Sequence, residues 1–116
     1  MIEGRWHLIS GEHDGQEMAE SDVRQSTLKI VGDAHEVTIG DDFLKGTYTL
    51  GTDQSPMTID ASDSEGPFAG RTVLGIFKIA DDVFTVCFAA PGKDRPTVFT
   101  TKDGKATILH VWKRDS

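Results

Sequence analysis

The run Thr72-Val73-Leu74-Gly75-Ile76-Phe77-Lys78-Ile79, followed by Asp81-Asp82 and then by Phe84-Thr85-Val86-Cys87-Phe88, decides the fold. In its last part, large apolar side chains at 84, 86 and 88 alternate with Thr85 and Cys87. That period of two places successive residues on opposite faces of a strand. The first part is apolar on both faces, which suits a strand covered on both sides, by the rest of the chain or by a partner. The aspartates between them are turn formers.

The same grammar extends in both directions. Trp6, Leu8 and Ser10 alternate with His7 and Ile9, Leu28 and Ile30 with Thr27 and Lys29, and Val37 and Ile39 with Glu36 and Thr38. Leu44, Tyr48 and Leu50 share a face with Gly46, opposite Lys45, Thr47 and Thr49, while Met57 and Ile59 oppose Thr58 and Asp60. Ala106 to Trp112 is again apolar on both faces. Turn signals separate these runs at His13-Asp14-Gly15, Gly32-Asp33, Gly40-Asp41-Asp42, 51–56, 63–70, 91–96 and Asp103-Gly104. Spacing of roughly 8–12 residues between turns marks sandwiches and barrels. Asp-Gly is the strongest of these signals, because a tight hairpin needs positive φ. Gln16 to Gln25, with Met18, Ala19 and Val23 near helical spacing, predicts at most one short helix over a barrel end. The expectation is an all-β chain: a small antiparallel barrel of about eight to nine strands, one domain over residues 1–116.

Bulk properties exclude several function classes. With 116 residues and a net charge of −7 the chain lacks the clustered Lys and Arg that phosphate backbones require, so no nucleic-acid partner is expected. The same charge disfavours anionic membrane surfaces, and no apolar run reaches the roughly 18 residues of a spanning helix. Cys87 is the single cysteine, which rules out an intrachain disulfide. No basic segment followed by an apolar one opens the chain, which points to a cytoplasmic protein, with export by a removed leader left open. Ile2-Glu3-Gly4-Arg5 also spells a protease site used in expression vectors, yet Gly4 and Trp6 fit the strand pattern.

Specific chemistries fail on spacing. Ser26-x-x-Lys29 lies on a strand, where positions three apart face opposite ways, so the pair cannot act as nucleophile and base. Gly66 to Thr72 is one residue short of a phosphate loop and runs into a strand rather than a helix. Placing Gly66 at the sixth position of a calcium loop aligns Asp63 and Glu65 but puts Ala61 and Thr72 at the end ligands. His7 and His110, on strands that pair if a barrel closes, could join Cys87 around zinc or haem iron, but alternation sends His7 outward. No metal, cofactor or catalytic residue is assigned, and the chain reads as non-enzymatic.

Gly4-x-Trp6 on the first strand and Arg114 after Trp112-Lys113 on the last resemble the lipocalin signature, which implies an arginine lying across the indole to plug one barrel end. A broader resemblance covers nearly the whole chain. Gly46-Thr47-Tyr48, Thr58-Ile59-Asp60, Glu65-Gly66-Pro67, Gly70-Arg71-Thr72-Val73-Leu74-Gly75-Ile76, Cys87-Phe88-Ala89-Ala90-Pro91-Gly92-Lys93 and Arg95-Pro96-Thr97 look like a lipocalin-like family of uncharacterised bacterial domains abundant in planctomycetes. The resemblance implies a calycin-like fold and brings no established activity.

Two functions follow as expectations. The first is a carrier that takes a small apolar ligand in the barrel interior. Tyr48, Phe77 and Phe88 would form its wall, Arg71 or Arg95 its mouth, and Gly75 a gap where a ligand comes close. The same rings could instead fill the core of a small barrel. The second is a protein-interaction or inhibitor domain acting through loops 63–71 and 91–96.

Overall fold

The computed structural model describes residues 1–102 and 106–115. Nine strands and one helix follow in chain order: β1 (Gly4–His13), β2 (Gln16–Glu17), α1 (Glu20–Arg24), β3 (Thr27–Val31), β4 (Ala34–Ile39), β5 (Asp42–Gly51), β6 (Met57–Glu65), β7 (Thr72–Ala80), β8 (Val83–Ala89) and β9 (Thr107–Arg114). Every pairing is antiparallel, and β9 pairs back onto β1. Eight strands thus close a barrel of the small calycin-like type, with β2 as an extra two-residue strand on the end of β1.

The turns follow from their residues. Asp14 and Gly15 both adopt positive φ between β1 and β2, and Asp81 and Asp82 do so between β7 and β8. Two successive positive φ values give the tight turn that matches strand twist. The Asp103-Gly104 signal lies outside the described residues.

Three features depart from simple alternation. Gln16 to Gln25 divides, with β2 at its start and only Glu20–Arg24 helical. The helix is fixed by Ser26, whose Oγ donates to the Asp22 carbonyl at 2.7 Å and accepts from the Gly40 amide at 3.2 Å. On β1, the register slips between Leu8 and Ser10. The extra residue of that bulge turns Ser10 outward and brings Gly11 inward, so the face expected to carry Trp6, Leu8 and Ser10 carries Trp6, Leu8 and Gly11.

The third departure explains the two-sided strands. Ile76, Thr85, Cys87 and Thr107 occupy outward positions yet are buried. Residues 90–102 cross that outer face. The Thr107 hydroxyl donates to the Thr100 carbonyl at 3.0 Å, Cys87 Sγ lies 3.8 Å from the same oxygen, and Lys78 Nζ lies 4.8 Å from the Phe99 ring centre. The cover is the chain's own connection between β8 and β9.

Inside, one end of the barrel is filled. Trp6, Phe77 and Phe84 are fully buried, with ring centres 5.5 Å apart for Trp6–Phe84 and 5.9 Å for Phe77–Phe84. Leu28, Ile30, Ile59 and Ile2 complete this core.

Candidate functional site

Alternation beyond the filled end sends a different set of side chains inward. On β4 the inward series is His35, Val37 and Ile39; on β6 it is Ile59, Ala61 and Asp63; on β9 it is Ile108, His110 and Trp112. Together with Leu44, Tyr48, Val73, Val86 and Phe88 they enclose an apolar cavity of about 90 Å³. A cavity needs roughly 10–15 Å³ to hold one water, so the space corresponds to several waters or one small ring.

Four polar side chains face this apolar space. His35 Nε2 lies 2.7 Å from Asp63 Oδ1, and both side chains are at least 95% buried. The carboxylate accepts the Nε2–H, which leaves Nδ1 as the second polar atom of a buried ring; Nδ1 has no hydrogen-bond partner among the described residues. The Tyr48 ring stacks on His35 with centres 4.1 Å apart and planes 19° apart. Burial, and then the charge of Asp63, hold the Tyr48 hydroxyl protonated well above its ordinary range. Across the cavity, burial pushes the His110 imidazole down to about 4, with the charge on His13 acting in the same direction. His110 is therefore a neutral group at physiological pH.

The cavity leads outward at the barrel end remote from Trp6. Ile39, Leu44, Phe68, Ile108 and His110 border both the cavity and a more open vestibule of about 300 Å³, whose rim carries Glu12, His13 and Asp42. Phe68 hangs from a tight loop. The Gly70 amide donates to the Asp63 carbonyl at 2.8 Å and the Arg71 amide to the Phe68 carbonyl at 2.9 Å, with Gly66 and Gly70 at positive φ. A Cβ on Gly66 would lie 2.9 Å from the Phe43 carbonyl oxygen, so that glycine permits both the turn and a close backbone approach.

The sequence-predicted residues fall in different places. Tyr48 and Phe88 line the cavity. Phe77 belongs to the filled core rather than the cavity wall. Gly75 is no gap: a Cβ there would lie 2.6 Å from Phe88 Cδ1 and 2.7 Å from the Cys87 carbonyl oxygen, so the neighbouring ring already covers it. Gly46 likewise permits close backbone packing, since a Cβ there would meet the Ser62 carbonyl oxygen at 2.0 Å beside a bulge. Arg95 is not at the mouth. It lies on the outer face, where Nη1 donates to the Gly75 carbonyl at 2.8 Å and sits 2.8 Å from Asp60 Oδ1 in an ion pair. Arg71 is exposed beside Gly92 and borders neither cavity nor vestibule. Trp6 and Arg114 stack at the filled end, the guanidinium carbon 4.2 Å from the indole centre.

The weighed metal ligands are not brought together. His7 is exposed and bonds Asp115, Cys87 lies on the outer face, and His110 points inward. Asp63, weighed for calcium, is turned inward onto His35. Among the described residues, no group of three or more His, Cys, Asp or Glu side chains is placed to hold a metal ion. Among them, too, no helix is long and apolar enough to cross a membrane.

Comparisons with known protein families, with characterised proteins and with solved structures found no match.

Sequence reasoning missed His35, Asp63, Phe68, His110 and Trp112. Carrying the alternation back from Val37, onward from Ile59 through Ala61, and back from Trp112 would have placed His35, Asp63 and His110 inward, since each lies two residues from an inward apolar neighbour.

Proposed function

We propose that this domain binds a small molecule of about one-ring size in the barrel interior, reached past Phe68 from the vestibule. The observation that carries the reading is an apolar cavity at the inner end of an open vestibule, with a few polar groups converging on it. Its volume argues against long acyl chains and retinoids, whose sites run to several hundred cubic ångströms. The Trp6–Arg114 stack and the closed calycin-like barrel support the lipocalin-like kinship suggested by the sequence. Among the described residues that line the cavity, no serine, threonine or cysteine accompanies the His35–Asp63 pair, which favours binding over catalysis by a hydroxyl or thiol nucleophile.

Trp112 lines the cavity, so its fluorescence reports occupancy. Toluene and benzene should change that emission saturably, whereas palmitate and retinol should not. Ala61→Leu would fill the space from the β6 side and should abolish the response in a folded protein. Equal binding of palmitate, or no change with any single-ring compound, would refute this reading.

A further inference from the structure

We propose that the preferred guest is a small amine, protonated at neutral pH and carrying one apolar ring, with its ammonium group donating to His35 Nδ1. The inference rests on the cavity reading above and adds the chemistry of the polar end.

Three independent observations converge on it. The first is the unpartnered nitrogen. His35 Nε2–H donates to Asp63, so the tautomer with its proton on Nε2 presents a bare lone pair at Nδ1, and a buried acceptor without a donor is costly to maintain. A guest that brings an N–H removes that cost, and one that brings a positive charge also meets the field of the buried Asp63 carboxylate.

The second is the wall. Tyr48, Phe68, Phe88 and Trp112 all line the same small space, and aromatic rings attract cations most strongly where water is excluded. The third is the approach. Glu12 and Asp42 border the vestibule, and among the described residues no lysine or arginine borders either the vestibule or the cavity. Charge along the route thus favours a cation over an anion, in keeping with a chain of net charge −7. Of the other titratable groups facing the site, His110 is held neutral by burial, and His13 at the rim is paired with the Asp14 carboxylate 3.6 Å away, so that pair adds no net positive charge to the approach.

A matched set separates the possibilities: toluene, benzyl alcohol, benzylamine and benzoate share one ring and differ at a single group. Titrated into the full chain near neutral pH, benzylamine should bind at least about tenfold more tightly than toluene or benzoate. Asp63→Asn should bring benzylamine close to toluene while leaving toluene within about twofold of the parent. Should that variant fail to fold, Asp42→Asn at the exposed rim provides the second arm. It should weaken benzylamine a few-fold at low ionic strength, lose that effect in high salt and leave toluene unaltered. Toluene or benzyl alcohol binding as tightly as benzylamine would overturn the amine assignment and leave the cavity reading standing. Benzoate binding tightest would overturn it in favour of a protonated His35. No binding by any of the four would remove both readings together.

Discussion

The guanidinium of Arg114 lies over the Trp6 indole, its carbon 4.2 Å from the ring centre, and so fastens the last strand of the barrel to the first. Its nitrogens also donate to the carbonyls of Met1 and Glu3 and bond Asp82, which ties the β7–β8 turn into the same end. Trp6 itself donates from Nε1 to the Ile2 carbonyl at 3.0 Å, so its one polar atom is satisfied while the ring is buried. Trp6→Ala should therefore cost about 3–5 kcal/mol, from lost burial and the cavity left behind. Arg114→Ala should cost less, about 1 kcal/mol, because the stack is partly exposed to water. Urea unfolding of both variants checks the ranking. Equal losses would mean that the arginine and not the ring holds this end.

Gly75→Val should destabilise the fold by about 1–3 kcal/mol, because the added carbons meet both the Phe88 ring and the Cys87 carbonyl. Phe88→Ala in the same chain should relieve only part of that loss, since backbone cannot move aside as a ring can. Thermal melts of the two single variants and the double variant measure the coupling. A Gly75→Val protein as stable as the parent would mean that the strands at β7–β8 yield more than a packed wall allows.

The buried pair lends itself to a mutant cycle. Asp63→Leu alone, or His35→Leu alone, leaves one polar partner stranded in an apolar interior and should cost about 3–5 kcal/mol. Both changes together should restore much of the stability, because a matched apolar pair has no unsatisfied group. Additive losses in the double variant would show that the pair is not coupled.

Stability should fall as the medium is acidified, and His110 supplies a separable part of that fall. Its folded pKa of about 4 lies below the ordinary 6.5, so the unfolded chain takes up the proton first. The stability tied to the neutral ring is complete above about pH 6.5 and is lost as pH drops toward 4, a difference on the order of 2–3 kcal/mol. His110→Phe should flatten the pH dependence over that window relative to the parent. An unchanged slope would place the acid sensitivity elsewhere.

Much of the architecture was legible in the alternation of Trp6 and Leu8, of Leu28 and Ile30, and of Phe84, Val86 and Phe88, because one face of each strand must be apolar to enter a barrel. The bulge at Leu8–Ser10 was not, since an extra residue leaves no mark on composition. The two-sided strands raised a question that the sequence left open, between a partner and self-coverage. Coverage by residues 90–102 depends on long-range packing that no local pattern encodes. At the candidate site the signal for Tyr48 and Phe88 was sheer ring size, which also pointed to Phe77, a core residue. What size could not convey was depth along the barrel, and depth separates a core ring from a cavity wall. Arginine was read as a mouth residue because charges sit at rims, but Arg95 found its partner in Asp60 on the outer wall.

The return of β9 onto β1 bears on how copies of this chain meet. One edge of β1 is taken by β9, and the other is shared by β3 and β2, with the stretch between them engaged by bonds from the Leu8 amide to the Ser26 carbonyl and from the Met18 amide to the Gly11 carbonyl. The outermost strand is then only Gln16–Glu17, two residues long and charged. A stacking chain needs a longer open ladder of backbone groups than that to template its first strand. Molecules of this kind are thus poor seeds for cross-β fibrils while they stay folded, and any pairing between them must come from side-chain surfaces instead.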